Sequence, residues 1–340
     1  MKYIELPGGK KLSKIGLGVS RFGTRVPDEL ANAMLDKFLK SGGTLIDTAR
    51  NYYEWVENGR GKSEEFIGKW MEAHKCRDEI VLSTKGGVTN RGKQFHVDLS
   101  RGALLAELGE SLEALRTDYL DIYLLHRDEP ERPVEEVMDT LQEIAAMGKC
   151  GSIGVCNWRC ERIAAANRYA LRHNLIPIQI VQTWWSMASY TETMWDDPTT
   201  THMDRETAEY CRSHQCVVMA YTSQAKGFFQ KACSVGTDRL DSMLKYRMLT
   251  EENLEKLIIL QGYCASSGCT PTDVVLGYIT SHPLKGTALV SCSSLAQLED
   301  VMASADYILP NEMVCKLSEQ PFPEHTSYPL PDGGDNDDGY

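Results

Sequence analysis

No stretch of this sequence approaches the ~18 consecutive apolar residues of a membrane-spanning helix. Its first residues, MKYIELPGGKKLSKIG, contain no apolar run of the signal-peptide kind. Positive charge is in short supply, with 36 Lys and Arg against 48 Asp and Glu, for a net charge of −12. That balance argues against a surface built to attract nucleic acid or an anionic membrane, since both need clustered cations. Part of the acid excess sits in the closing segment Asp332–Tyr340, DGGDNDDGY, whose composition predicts a solvated end. The 11 cysteines include no C-x-x-C pair; the nearest neighbours are Cys156 and Cys160, Cys211 and Cys216, and Cys264 and Cys269. An odd count without framework spacing predicts reduced thiols and a cytoplasmic location, and no metal site is expected.

What the chain does have is alternation. Short β-branched runs recur at Ile15–Val19, Thr44–Asp47, Ile80–Lys85, Leu120–Leu125, Ser152–Cys156, Ile178–Gln182, Val217–Tyr221 and Ala288–Ser291. Between them apolar residues fall at helical spacing: Leu30, Met34 and Phe38; Leu104, Leu108, Leu112 and Leu115; Val134, Met138, Leu141 and Ile144. Eight strand-helix units predict an α/β protein with a parallel sheet closed into a (β/α)8 TIM barrel. Ahead of it, Lys2–Leu6 and Lys11–Ile15 flank a Pro7-Gly8-Gly9 turn and predict an N-terminal β-hairpin over residues 1–15. Extra helices are expected before the last strand, over Asp238–Met248 and Glu251–Ser266, with a C-terminal tail over 306–340. No Gly/Ser/Pro-rich linker divides the chain, so residues 1–340 read as one domain.

In such a barrel, chemistry collects at the C-terminal ends of the strands. Asp47 ends the second run and Tyr52 follows in its loop; Lys85 ends the third and His126 follows the fourth. The set is chemically coherent. A free phenol has a pKa near ~10, and a cation against it favours the phenolate and eases proton transfer. A carboxylate keeps that cation charged, and a neutral imidazole can donate a hydrogen bond to a carbonyl oxygen.

The run GGTLIDTARNY (Gly42–Tyr52), Lys85 in VLSTKGG and His126 in YLDIYLLHRDEP resemble the aldo-keto reductase family. GKSEEFIGKWM, GKCGSIGVCNW, IQIVQTWW, MAYTSQAKGFF and ALVSCSSLAQLED continue the likeness in order, from Leu12 to about Ala305. The resemblance implies hydride transfer between a nicotinamide cofactor and a small carbonyl or alcohol substrate. Tyr52 would be the general acid, Lys85 its pKa tuner, Asp47 the partner of Lys85, and His126 the carbonyl orienter. It further implies that Asn157 and Gln182 bind the carboxamide, that Tyr221 stacks on the ring, and that Ser223, Ser291, Ser293 and Gln297 serve the rest of the cofactor. Such a cofactor lies across a barrel mouth without a Rossmann fingerprint; here Gly16-Leu17-Gly18 is followed by Arg21 where a third glycine would stand.

Three positions depart from the family pattern. Cys156 replaces a common Ser, Ser291, Ser293 and Ser294 stand where a cation often meets the 2′-phosphate, and Val301 replaces a usual Asn. Family habit favours NADP(H), and the neutral segment leaves NAD(H) open. Trp55, Trp158 and Arg127 are candidate substrate-pocket residues. Trp184, Trp185 and Trp195 share the rim loops, where tryptophans also anchor loops by packing. Arg21, Arg50 and Arg127 lie just past strand ends; if two of them face inward, a polar or anionic substrate such as a sugar, glycoside or hydroxy-acid is expected, whereas rim arginines commonly pair with carboxylates such as Asp128. Taken alone, Asp47, Lys85 and His126 have ordinary readings as a cap, a solvated cation and a core histidine. Their joint placement carries the catalytic reading. Two other activities fit the same motifs: a nicotinamide-binding regulatory protein with little turnover, or a lyase or epimerase that retains its cofactor. Oligomeric state is not legible in the exterior helices.

Overall fold

The computed structural model describes residues 1–91, 94–190, 197 and 199–318, with only the backbone of Asn90, Arg91, Gln94 and Phe95. Trp195 and the closing segment 319–340 lie outside the described residues.

Strands β1 (Tyr3–Glu5) and β2 (Lys11–Ser13) form the antiparallel N-terminal hairpin, with Gly8 and Gly9 in left-handed conformation at its turn. The barrel strands follow: β3 (Ile15–Gly18), β4 (Leu45–Asp47), β5 (Val81–Gly86), β8 (Leu120–Leu125), β9 (Cys150–Cys156), β10 (Ile180–Trp184), β11 (Val217–Tyr221) and β12 (Lys285–Val290). They pair in parallel in chain order, and β12 closes on β3 through Ala288 beside Ile15. The TIM barrel expected from the alternation is therefore the fold. The eighth strand begins at Lys285 rather than Ala288, and the sixth is shifted forward to end at Trp184.

Helices α1 (Asp28–Lys40), α2 (Lys62–His74), α3 (Arg101–Ala114), α4 (Val134–Ala146), α5 (Cys160–His173) and α6 (Arg205–Ser213) cover the outside. Helices α1, α4 and α5 form where apolar residues share a stripe. In α4 Val137, Met138, Leu141 and Ile144 are fully buried, while Glu135 and Glu136 occupy the first turn, where the helix dipole favours acid. Between β11 and β12 stand α7 (Phe228–Val235), α8 (Ser242–Met248), α9 (Glu251–Ser267) and α10 (Pro271–Thr280). The helix expected over Asp238–Met248 is split, because Leu240 is extended and the Asp241 side chain caps α8 by accepting from the Leu244 N–H at 2.8 Å. Two features were not expected from the sequence. Strands β6 (Val88–Arg91) and β7 (Gln94–Val97) form a hairpin after β5. Of the tail expected from 306, residues Asn311–Ser318 form α12, which follows α11 (Leu295–Ala303) and buries Val314 and Leu317.

Side chains in a strand alternate faces, so the barrel interior can be read two residues at a time. Toward the N-terminal end the inward residues are apolar: Leu45, Val81, Ile122, Leu124, Ile180, Val217, Met219 and Leu289 form one cluster with Ile4, Leu6 and Leu12 of the hairpin region. One step further along the same faces the residues become Asp47, Ser83 and Lys85, His126, Cys156, Gln182 and Tyr221. The intervening outward residues, among them Ile46, Leu82, Leu125, Val155, Val181 and Val218, pack beneath the helices. The hairpin thus plugs an apolar floor, and the polar layer lies at the opposite mouth.

Candidate active site

At this mouth Lys85 is fully buried and directs its ammonium at three acceptors: Asp47 Oδ2 at 2.7 Å, the Thr48 carbonyl at 2.8 Å and the Tyr52 hydroxyl oxygen at 2.8 Å. An ammonium has three protons, so this set uses them all. Since Lys85 donates to the Tyr52 oxygen, the phenolic proton remains available to a group in the mouth. The second oxygen of Asp47 accepts from Ser83 Oγ at 2.9 Å and from Gln182 Nε2 at 3.1 Å. Asp47 is adjacent to Ser83 in the β4–β5 register, which puts Ser83 and Lys85 on the face Asp47 occupies.

The loop after β4 is held from outside the barrel. Arg50 bonds Glu64 at 3.0 Å and Glu110 at 3.1 Å, and Glu64 accepts from Thr84 Oγ1 at 2.7 Å. Gly61 has φ of 73°, which favours glycine, and a Cβ there would stand 2.2 Å from the Arg50 guanidinium and push it from its place. His126 lies edge-on to the Tyr52 ring, with centroids 5.6 Å apart, and its Nδ1 meets Asn51 Oδ1 at 2.7 Å.

Burial and charge tune these groups in different directions. Desolvation pushes the Tyr52 phenol up to about 12, with Lys85 pulling against it. The sequence led us to expect a phenol lowered outright by its lysine; here burial outweighs the cation, and Asp47 adds to the rise. Desolvation alone would lower Lys85, but attraction to Asp47 and Tyr52 prevails and holds it above its ordinary value. Burial, helped by Arg127 and Lys85, drives His126 well below the usual histidine range, so the ring is neutral near pH 7. Desolvation pushes the Cys156 thiol up to about 12, which argues against a nucleophilic thiolate.

The residues expected at a cofactor form a second, connected set. Asn157, in left-handed conformation at φ 60°, accepts from the Tyr221 hydroxyl at 2.7 Å and donates to Cys156 Sγ at 3.0 Å. The Cys156 thiol donates to Gln182 Oε1 at 3.4 Å, and Gln182 leads back to Asp47. Ser223 is buried and donates to the Leu289 carbonyl at 2.6 Å. Ser291 donates to the Gly18 carbonyl at 3.1 Å, and Gln297 Oε1 accepts from both the N–H and the hydroxyl of Ser293 at 2.8 and 2.9 Å.

The substrate-pocket candidates divide. Trp55 is 38% exposed and packs on Tyr53 with centroids 5.0 Å apart. Trp158 is 2% exposed, with its indole donating to the Arg127 carbonyl at 3.2 Å, so it anchors a loop and leaves no open face. Arg127 is buried against Asp197 at 2.8 Å, Thr199 at 2.8 Å and the His126 carbonyl at 2.9 Å. Its partner is Asp197 rather than the expected Asp128, which instead pairs with Arg162 at 3.1 Å. Trp184 packs against Tyr190 and Tyr221, and Trp185 against Tyr278 and His282. The sequence reading missed Asn51, Ser83 and Asp197. Ser83 was accessible through its two-residue spacing from Lys85; Asp197 lies far away in sequence and gave no signal.

Comparison with known proteins gives the family. A family model described as the aldo/keto reductase family matches residues 14–319. The chain is 28% identical over 338 residues to norsolorinic acid reductase stcV of Emericella nidulans, covering 95% of this chain and 81% of that protein. It is 33% identical over 199 residues to aryl-alcohol dehydrogenase [NADP(+)] of Phanerodontia chrysosporium, covering 53% and 50%, and 33% identical over 186 residues to aldo-keto reductase YhdN of Bacillus subtilis, covering 52% and 53%. With the barrel closed and its family motifs in order, the chain belongs to the aldo/keto reductase family and is an oxidoreductase.

Proposed function

We propose that the protein reduces an aromatic aldehyde or ketone to the alcohol, or runs the reverse, using NADP(H) or NAD(H). The observation that carries this reading is the Lys85–Tyr52 contact at 2.8 Å, in which the lysine has no proton left to share and the phenol keeps its own. Tyr52 then donates that proton to the substrate oxygen in reduction, and Lys85, held charged by Asp47, stabilises the phenolate it leaves. Neutral His126 orients the same oxygen. A reduced nicotinamide, when bound, supplies the hydride.

The residues at the mouth fit such a group. Tyr221 is half-buried, and beside it Asn157, Gln182 and Cys156 form an amide-lined bed with a hydrogen-bonding character matched to a carboxamide. The adenosine-side segment has only neutral Ser291, Ser293 and Gln297, and Lys37 reaches α11 to pair with Glu299 at 3.0 Å. Weak discrimination between NADPH and NADH follows.

The sugar or anionic substrate considered from the rim arginines loses its support, since Arg50 and Arg127 are both matched by carboxylates. Exposed Trp55, packed on Tyr53, offers aromatic surface instead, and one relative is named an aryl-alcohol dehydrogenase. The test is titration with NADPH and NADH by tryptophan fluorescence, followed by cofactor oxidation with benzaldehyde, acetophenone and glucose. Binding with turnover of the aryl carbonyls is expected. Absence of binding would overturn the reading, and a preference for glucose would overturn the substrate class.

A further inference from the structure

The contact between Asn51 and His126 bears on a choice that the chemistry forces. A neutral imidazole carries one N–H, on either Nδ1 or Nε2. His126 is neutral near pH 7, because it is buried and faces the Arg127 and Lys85 cations as well as the Tyr52 ring. Its Nδ1 lies 2.7 Å from Asn51 Oδ1, so Nε2 is the nitrogen left for a substrate oxygen. With the amide in that orientation the proton stays on Nδ1 and Nε2 offers the mouth only a lone pair. That tautomer cannot donate to a carbonyl. A half-turn of the amide brings its NH2 to the same place, lets Nδ1 accept, and puts the proton on Nε2.

We propose that Asn51 is a positioning residue that fixes His126 as the Nε2–H tautomer by donating an amide N–H to Nδ1. The inference rests on the carbonyl-reducing reading of the site. Two features suit Asn51 to the task. It is 3% exposed, so water does not compete freely for Nδ1. It also directly precedes Tyr52 in a loop pinned by Arg50 to buried Glu64, so one rigid segment places both the acid and the residue that sets the histidine. An aspartate, which only accepts, would reverse the arrangement, and a leucine would leave the tautomer unset.

The experiment reads the tautomer directly. Nitrogen-15 NMR of the full-length wild-type protein saturated with NADPH, with His126 assigned by comparison with His126→Gln, should show a protonated Nε2 and an unprotonated Nδ1. This measurement needs no turnover, so it succeeds or fails apart from the assigned reaction. In Asn51→Asp the carboxylate should raise the His126 pKa. Reduction should persist at low pH, where the imidazolium still donates from Nε2, and fall at least tenfold as pH rises through that pKa. Wild type should stay flat over the same interval. A wild-type spectrum with the proton on Nδ1, or an Asn51→Asp profile that superimposes on wild type, would overturn the proposal.

Discussion

Gln182 Nε2 donates to Asp47 Oδ1 at 3.1 Å across the full width of the barrel, from β10 to β4 on the opposite wall. One carboxylate thereby neutralises Lys85 through one oxygen and anchors the amide bed beside Tyr221 through the other. On the proposed function, a single side chain then couples proton transfer to cofactor contact. Replacing Gln182 with Leu removes a donor from a buried carboxylate. The expected loss is about 1–3 kcal/mol of stability, with a roughly 5- to 30-fold weaker cofactor Kd. Thermal unfolding and fluorescence titration check the two effects, and an unchanged Kd would separate the amide from the cofactor.

Tyr52→Phe removes the transferable proton while keeping the ring that His126 meets edge-on. Turnover should drop by about 10²–10⁴-fold. Cofactor Kd should stay near that of the parent, since the hydroxyl bonds Lys85. Retention of most activity would assign the acid elsewhere.

Lys85→Met leaves Asp47 buried without its cation. Breaking a buried pair in this way typically costs about 3–5 kcal/mol, far more than losing a surface ion pair. The melting temperature should fall markedly. Asp47→Asn with Lys85→Met should recover part of that loss while remaining inactive, and a double variant no more stable than the single one would refute the charge argument.

The pH dependence has a defined sign. A general acid must be protonated, so activity is present below its pKa and lost as pH rises through it. With Tyr52 pushed up to about 12 and His126 driven well below its usual range, reduction should show no histidine-like step between about pH 6 and 9. The profile of kcat/KM at saturating cofactor tests this. A limb centred near the ordinary histidine value would mean that His126 is solvated in the working enzyme.

Cys156→Ser exchanges a 3.4 Å thiol contact to Gln182 for a stronger hydroxyl donor. Cofactor affinity should rise a few fold, about 0.5–1.5 kcal/mol. Weaker binding in the variant would show that the thiol is the better fit to this bed.

The sequence by itself determined the barrel, because strand and helix periods are local. Eight runs such as Leu120–Leu125, separated by stripes such as Val137, Met138, Leu141 and Ile144, leave few other ways to bury both. It also placed Asp47, Lys85 and His126 at strand ends, since the same two-residue alternation turns each inward one step beyond an apolar residue. Only the tertiary structure decided what those residues do to one another. Burial at the mouth, not proximity to lysine, sets the direction of the Tyr52 shift. Arg127 is paired with Asp197, which lies 70 residues away in sequence. Asn51 acquires its partner across 75 residues. Periodicity is a property of neighbours along the chain, whereas desolvation and pairing depend on which distant segments the closed barrel brings together.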